Sequence, residues 1–362
     1  MAAENGPTTR WSFRVRANAR ARRARAEWSP PFLMADNKDL PDQNPVLFLD
    51  PRGTLWLFWV SSLDNSVRSY LLQYRTPTHY EADGPPTWDW QDVIICRPQD
   101  ARARVPRGQL APLLGAALDK GRRSERAQGP QRSRGQNTGD GPSRETAEDK
   151  LFQRLGWMTR QPPIMLSDTR MPARKPWARV MLGLYSDVFD CSLIVFTDDW
   201  GQTWHFSRPM ILSSLRTIQP ALVRKADGGI TAFMRAAVHI RRADSADGGM
   251  MWKEAPMDIP NPGSSVSCVG LENGHWVLVC NDAMIGRNSL TVYLSDDEGE
   301  TWKWRRPLER LETEGSASYP TVVQAADDAI HCTYSYKNPA EFQGSTIKHV
   351  RFNEAWVRAA GS

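Results

Sequence analysis

The chain has 362 residues, a formal net charge of +5 and 15 tryptophans. This length accommodates one large β domain or two ordinary domains. No apolar run reaches the roughly 18 residues of a membrane-spanning helix, so we expect no membrane association. The N-terminal segment is rich in arginine but lacks the apolar core of a secretory signal. The compartment stays open on this basis, and a cytoplasmic location is compatible with the sequence.

The positive charge is concentrated in two segments. Residues 10–25 contain seven arginines, and residues 101–135 contain a second dense group. Such arms imply a general affinity for anions, and we expect no specific nucleic-acid site. The five cysteines stand in apolar runs and form no Cys-x-x-Cys pair. We therefore expect buried thiols, with no disulfide framework, no metal site and no cofactor.

Five apolar segments follow one another along the chain, and each begins near a proline. The prolines are Pro45, Pro163, Pro220, Pro262 and Pro320. Three of the segments have the pattern strand, turn, strand, with Gly53, Gly228 and Gly274 in the turns. Valine, isoleucine, leucine and tryptophan flank these turns, which is typical of β-hairpins.

A second landmark follows a third apolar strand in several repeats. In "LSDDEGETWKW" it consists of Ser295, Asp297, Gly299, Thr301 and Trp302. The stretch "FTDDWGQTWHF" repeats this spacing, and "DSADGGMMWKE" is a degenerate copy with methionine in place of threonine. The tryptophans stand at 204, 252 and 302, a period typical of repeat architectures. Four short antiparallel strands per repeat indicate the blade of a β-propeller.

We interpret the polar turn as a structural element. The side chains of Asp297 and Ser295 can hydrogen-bond to the backbone of a tight turn, and Gly299 permits a positive φ. Trp302 is predicted to fill the space between neighbouring blades, and the tryptophans of "GTLWLFWV" and "PTWDWQDV" are predicted to pack in the core. A calcium loop would require more acidic ligands at alternating positions.

Two segments interrupt the repeats. Residues 101–150 are rich in Arg, Gly, Ser and Gln, a composition that cannot bury enough apolar surface to offset its ordering entropy. We expect a disordered insertion there, and a smaller insertion at 168–179. The predicted organisation is an Arg-rich disordered lead at 1–26, one propeller domain at 27–357 that is interrupted at 101–150, and a tail at 358–362.

The Ser/Thr-x-Asp-x-Gly-x-Thr-Trp turn resembles the Asp-box, or BNR repeat, of sialidase-type β-propellers. This resemblance covers roughly residues 27–100 and 151–357 and implies an all-β fold with six blades. Only five repeats are recognisable here, and "AEWSPPFLM" resembles the last strand of a further blade. We therefore expect a six-bladed propeller whose first blade is incomplete.

A propeller places its ligand near the central axis, where inner-strand ends and their loops converge. The candidate polar residues at these positions are Arg160, Tyr185, Asp187, Gln219, Arg235, Asn261, Asp282, Arg287, Tyr319 and Tyr334. The resemblance implies that three arginines hold the carboxylate of sialic acid, and Arg160, Arg235 and Arg287 come from three different repeats. It also implies a tyrosine nucleophile that a glutamate activates, with Tyr319 as first candidate and Tyr334 as second. It implies an aspartate as acid/base, whose identity the sequence leaves open, and Asp187 is a further catalytic candidate.

Two classes of function follow from this pattern. The first is a glycoside hydrolase that acts on a glycan with an acidic sugar, or a related lyase or rhamnosidase-type propeller that acts on uronic-acid glycans. The second is a non-catalytic or degenerate propeller that binds a glycan or a protein partner. The Phe/Tyr-Arg-Ile-Pro type of motif, which carries the first arginine of the family, is not found in this sequence. In either class we expect a monomer.

Overall fold

The structure is a computed structural model that describes residues 32–81, 84–97, 151–168, 177–210, 212–213 and 216–359, together with the backbone of Trp11–Phe13. The expected insertion at 101–150 and most of the Arg-rich lead lie outside the described residues. The chain divides into two compact units. The first contains Met1–Cys96 and Asp149–Arg160, and the second contains Arg97–Glu148 and Gln161–Ser362. The single domain expected over 27–357 stays a prediction.

The first unit contains one four-stranded antiparallel sheet, which we call the first blade. Its strands are β3 (Asp42–Leu49), β4 (Leu55–Ser62), β5 (Tyr70–His79) and β6 (Thr87–Ile94), and the other elements of this unit are β1 (Trp11–Phe13), β2 (Phe32–Ala35), a 3-10 helix (Phe152–Arg154) and β7 (Met158–Thr159). Consecutive strands pair in the order β3-β4-β5-β6, while β1 and β2 form a separate two-stranded sheet. Every residue of β4 is buried, because both faces of this strand are covered.

The second unit contains four more blades. The second blade consists of β8 (Ile164–Asp168), β9 (Trp177–Ser186), β10 (Cys191–Thr197) and β11 (His205–Phe206), and the third consists of β12 (Ile218–Arg224), β13 (Ile230–Arg235), β15 (Arg241–Ser245) and β16 (Lys253–Ala255). The fourth blade consists of β18 (Ser267–Gly270), β19 (Trp276–Cys280), β20 (Ser289–Ser295) and β21 (Trp304–Arg310), and the fifth consists of β22 (Ser316–Gln324), β23 (Ile330–Lys337) and β24 (Thr346–Phe352). A small sheet pairs β14 (Ala237–His239) with β17 (Pro260–Pro262), and the short helix α1 (Glu354–Arg358) follows β24.

Apolar clusters join each blade of the second unit to the next one. Met181 and Ile194 of the second blade pack with Met234 of the third. Phe233 of the third blade packs with Leu278 of the fourth, in a separate cluster. Successive side chains of a strand therefore pack against different neighbouring blades, because they point to opposite faces of the sheet. Stacking of sheets through such shared cores is the organisation of a β-propeller.

The all-β propeller fold is thus confirmed, but the number of blades differs from the expectation. Five blade sheets are present in the described part of the chain, where six were expected. The five match the five proline-led repeats. Beyond them, the described residues add two sheets of two strands each, β1 with β2 and β14 with β17, and neither has the four strands of a further blade. In these residues, no helix is long and apolar enough to span a membrane.

The Asp-containing turns join the third strand of a blade to the fourth, as predicted. Ser295 Oγ accepts a hydrogen bond from the Gly299 backbone N–H at 2.8 Å and donates one to Asp297 Oδ1 at 2.8 Å. Asp297 also accepts from the Thr301 backbone N–H at 2.8 Å and from Thr301 Oγ1 at 2.5 Å. The turn that starts at Thr197 repeats all four of these bonds. The carboxylate thus satisfies donors of its own turn, which supports a structural role.

The tryptophans of these turns are less buried than predicted. Trp204, Trp252 and Trp302 are all half-buried. Trp302 does reach the neighbouring blade, where its ring lies 5.8 Å from that of Phe233. In the first blade, Trp56 and Trp59 are buried in the core, as predicted. Trp90 is not, because β6 is the last strand of its sheet, and 55% of this residue is exposed.

Candidate functional site

Two backbone bulges shape the site in the second unit. Gln219 and Tyr319 each precede a proline in the first strand of a blade, and both adopt positive φ angles of 57° and 58°. The pairing register of β12 and of β22 shifts at these residues. A residue other than glycine in this region costs about 1–3 kcal/mol, and such strain clusters at functional sites. A bulge also redirects a side chain out of the regular alternation of the strand.

Arg235 ends β13 beside the bulge of β12. Its Nη1 donates a hydrogen bond to Gln219 Oε1 at 3.4 Å. Burial lowers the pKa of the Arg235 guanidinium, and the positive charges of Arg287 and Arg216 lower it further, while Tyr319 and Asp187 oppose this shift. The side chain therefore lies within electrostatic range of groups from four loops and strand ends. A guanidinium keeps its proton in a protein, so Arg235 remains a cation in this partly buried position.

Arg287 approaches the same place from the fourth blade. It lies in the loop between β19 and β20, and its backbone carbonyl accepts a hydrogen bond from the Ala317 N–H of β22 at 2.7 Å. Its guanidinium Cζ lies 5.2 Å from the centroid of the Tyr319 ring. Asp282 in the same loop accepts a hydrogen bond from Ser289 Oγ at 2.9 Å, which stabilises the loop. The fourth and fifth blades thus meet where Arg287 covers Tyr319.

A third arginine, which the sequence interpretation missed, completes the group. Arg216 precedes β12, and its Nη2 and Nε each lie 3.2 Å from an aspartate, Asp187 and Asp190 respectively. About half of its side chain is exposed. We call Arg216, Arg235 and Arg287 the arginine cluster. Three guanidinium groups face two carboxylates here, so the group keeps an excess of positive charge that suits an anionic ligand.

Arg216 lies outside the pattern of strand ends that identifies the other arginine candidates. It stands two residues before the start of β12. Its own φ of 53° is positive, like those of the two bulges. The position of Arg216 before a strand and its positive φ cannot be read from residue types alone. Arginine is common in exposed loops, so its presence there does not single out a ligand site.

Arg160 lies in the first unit, directly after β7, and it is half-buried. Its membership in a group with Arg235 and Arg287 stays a prediction. Asp187, Gln219, Arg287 and Tyr319 lie within hydrogen-bonding or electrostatic range of Arg235. Their role as a substrate site stays a prediction.

Tyr334, the second candidate for the nucleophile, is buried. Only 1% of this residue is exposed, and its hydroxyl donates a hydrogen bond to Glu309, which also contacts Lys348 Nζ at 2.6 Å. Burial raises the pKa of the Tyr334 phenol, and the hydrogen bond to Glu309 raises it further. Its catalytic role stays a prediction, and the half-buried Tyr319 remains the first candidate.

Two other candidates are buried. Asn261 is fully buried, and its Oδ1 accepts a hydrogen bond from the Ser264 backbone N–H at 2.7 Å, so it shapes a turn. Tyr185 is also buried, in β9 opposite Ser192. Their contact with substrate stays a prediction.

The Asp-containing turns lie away from this site. In the third blade, Ile230 at the start of β13 pairs with Ser245 of the turn, whereas Met234 near its end pairs with Arg241. The turn therefore lies beside the start of β13, whereas Arg235 ends that strand, about five residues or roughly 16 Å away. The described residues contain no cluster of three metal-ligating side chains.

Comparisons with known proteins agree with the propeller fold. Residues 148–332 match a family described as a BNR repeat-like domain. No curated protein matches the sequence significantly. Among solved structures, the chain is similar to the leech intramolecular trans-sialidase complexed with 2,7-anhydro-Neu5Ac (12% identity, TM-score 0.61, covering 92% of this chain and 62% of that one).

Two further structures show the same likeness. One is the intramolecular trans-sialidase from Ruminococcus gnavus in complex with oseltamivir carboxylate (11% identity, TM-score 0.62, covering 92% of this chain and 86% of that one). The other is a Hadza microbial sialidase (13% identity, TM-score 0.58, covering 91% of this chain and 57% of that one). This chain spans less than two thirds of the leech and Hadza proteins. At these identities the likeness establishes the fold alone.

Proposed function

The chain belongs to the BNR repeat-like family, and on this premise we propose that it is a sialidase-like protein that binds an acidic sugar and hydrolyses its glycosidic bond. The observation that carries the proposal is the arginine cluster beside Tyr319. A carboxylate that leaves water must recover strong, directed hydrogen bonds, and guanidinium groups supply them in pairs. A sugar whose carboxylate is attached at the ring, such as sialic acid, fits this chemistry.

The fold neighbours support this choice of ligand. The R. gnavus protein was solved with oseltamivir carboxylate, and the leech protein with an anhydro form of sialic acid. Both ligands belong to those proteins, and we extend their class to this chain because Arg235 and Arg287 offer an anion site.

In the catalytic scheme, the Tyr319 phenol gives its proton to solvent as Oη attacks the anomeric carbon and the bond to the aglycone oxygen breaks. That oxygen takes a proton from a carboxylic acid, for which Asp187 is the candidate. Water then attacks the anomeric carbon and gives a proton to the carboxylate of this acid, the bond to Tyr319 breaks, and the phenolate takes a proton from solvent. The arginine cluster keeps the sugar carboxylate fixed through both steps.

A second candidate function is binding without hydrolysis. Arg235 lies within electrostatic range of Tyr319 and donates a hydrogen bond to the side-chain amide of Gln219. An amide cannot accept the proton of a phenol as a glutamate carboxylate can. This observation favours a protein that recognises an acidic glycan and releases it unchanged.

Isothermal titration with sialic acid and with glucuronic acid tests the binding site. We expect Arg235→Ala and Arg287→Ala each to weaken binding by about 1.5–3 kcal/mol, the scale of a hydrogen bond to a charged group. Arg224→Ala is the matched control, because Arg224 is exposed at the opposite end of β12 from Gln219. Equal affinities for all variants would reject the proposed site. A fluorogenic sialoside then separates the two functions, because only a hydrolase releases the fluorophore.

A further inference from the structure

Gln161 is a buried polar side chain that contacts two blades other than its own. It stands three residues before β8 of the second blade, and only 2% of it is exposed. A buried amide must find partners for its donors and its acceptor. Here those partners lie more than 100 positions away along the sequence.

The partners belong to the first strands of the fourth and fifth blades, or adjoin them. Gln161 Oε1 accepts a hydrogen bond from Ser267 Oγ at 2.8 Å. Its Nε2 donates to the Pro320 carbonyl at 3.2 Å and lies 3.4 Å from Ser265 Oγ. Ser267 Oγ in turn accepts from the Val322 backbone N–H at 3.1 Å. One side chain thus connects β18 with β22.

These hydrogen bonds hold the backbone on the C-terminal side of the Tyr319 bulge. Pro320 follows Tyr319 directly, and the register of β22 shifts between Ser318 and Thr321, so the ladder bonds do not hold this segment. The positive φ of Tyr319 is strained and persists only where the surroundings impose it. The carbonyl of Pro320 and the N–H of Val322 are the points where Gln161 and Ser267 supply that restraint.

We propose that Gln161 is a positioning residue, which sets the orientation of Tyr319 and thereby its contact with Arg287. It acts through the backbone at Pro320 and touches no reacting atom. The importance of Tyr319 for ligand rests on the proposed function, whereas the mechanical link from Gln161 to Tyr319 does not. A buried glutamine could stabilise any part of a fold, so the test must separate position from stability.

The test uses Gln161→Met, which keeps the volume and removes every hydrogen bond. The matched control is Gln73→Met, because Gln73 is another buried glutamine, 5% exposed, whose Nε2 donates to Ser61 Oγ at 2.5 Å in the first blade. A fluorotyrosine at position 319 reports its surroundings by 19F NMR, and titration with sialic acid gives the dissociation constant. If Gln161→Met does not fold, Gln161→Glu replaces it, because it keeps the acceptor for Ser267 and loses the donor to Pro320.

We expect both methionine variants to lower the melting temperature, but only the change at Gln161 to move the 19F signal of residue 319. We also expect that change alone to raise the dissociation constant about tenfold or more, as for a group displaced by a fraction of an ångström. An unmoved 19F signal in the Gln161 variant would overturn the proposal. If the wild type binds no acidic sugar, the proposed function fails, and the 19F comparison alone still decides the role of Gln161.

Discussion

The guanidinium of Arg287 lies over the ring of Tyr319, with Cζ 5.2 Å from the ring centroid, although the two residues belong to different blades. Arg287 reaches this place because its loop is hydrogen-bonded to β22 through Ala317, and Tyr319 because a bulge redirects it. A cation over an aromatic face is favourable by about 0.5–2 kcal/mol, depending on desolvation. The contact therefore helps to hold an arginine of the cluster and the candidate nucleophile in one arrangement.

The charge at position 219 should control affinity for an anion. Gln219→Glu places a carboxylate beside Arg235, where it competes with the ligand carboxylate for the guanidinium. We expect binding of sialic acid to weaken by about tenfold, or 1.4 kcal/mol, and to weaken less at high salt because the charges are screened. Titration calorimetry at two salt concentrations measures both effects. Gln219→Met is the neutral control, and tighter binding by the glutamate variant would contradict the arginine cluster as the anion site.

The repeats could be predicted from the sequence because each one follows the same pattern of residue types. A proline, an alternating apolar strand and a glycine turn recur, and the strands lie where this pattern puts them. The bulges could not be predicted in the same way. A residue before proline normally favours extended backbone, and Gln219 and Tyr319 depart from this preference with positive φ angles.

The candidate site could be anticipated only from strand positions. Arg235 ends a strand and Arg287 lies in a loop between two strands, and these positions made both residues candidates. Tyr334 is buried in β23, whereas Tyr319 lies at a bulge with a positive φ, and both the burial and the bulge depend on tertiary packing. Arg216 follows no strand pattern, so its place beside Asp187 emerges only from the fold.

The Asp-containing turn should contribute to stability in a pH-dependent way. Burial tends to raise the pKa of Asp297, but hydrogen bonds from Thr301 and Ser295 outweigh it, so the pKa lies below its ordinary value. This stabilisation is present above the unfolded pKa of about 3.9 and is lost as the pH falls through the lower folded value. Asp297→Ala should cost about 1–2 kcal/mol at pH 7 and less at pH 3.

Urea unfolding at the two pH values measures this difference. Asp296→Ala is the matched control, because Asp296 is an exposed neighbour whose Oδ1 lies 2.7 Å from Lys303 Nζ. We expect little change in the free energy of unfolding for the control. Equal losses for both variants would show that the turn does not depend on the carboxylate of Asp297.

The inter-blade tryptophan should matter less than a fully buried one. Trp302 packs edge-on against Phe233 of the third blade and Tyr293 of its own, but it is half-buried. We expect Trp302→Ala to cost about 3 kcal/mol, the lower end of the range for large aromatic truncations. Trp276→Ala, at a buried position in the same apolar cluster, should cost more. Denaturant unfolding of both variants gives the comparison, and a larger loss at Trp302 would be inconsistent with its exposure.

A stacked histidine pair in the fifth blade should make stability depend on pH near neutrality. His331 Nδ1 lies 2.9 Å from His349 Nε2, and the ring centroids are 5.1 Å apart. Burial lowers the pKa of His331, and the positive charge of Arg351 lowers it further, while Asp327 opposes this shift. Burial also lowers the pKa of His349, and the charge of His331 lowers it further. One ring must donate and the other accept, so protonation of both rings removes the hydrogen bond between them.

The direction of the effect follows from these shifts. The unfolded chain binds protons at a pKa of about 6.5, whereas the folded pair binds them only at lower pH. The unfolded state therefore gains more protons as the pH falls below about 6.5, and the free energy of unfolding declines until the folded pKa is passed. The double variant His331→Gln, His349→Gln should flatten this decline between pH 7 and pH 5, as melting temperatures across that range would reveal. His79→Gln, which changes an exposed histidine of β5, should leave the decline intact, and an unchanged slope in the double variant would exclude the pair as its cause.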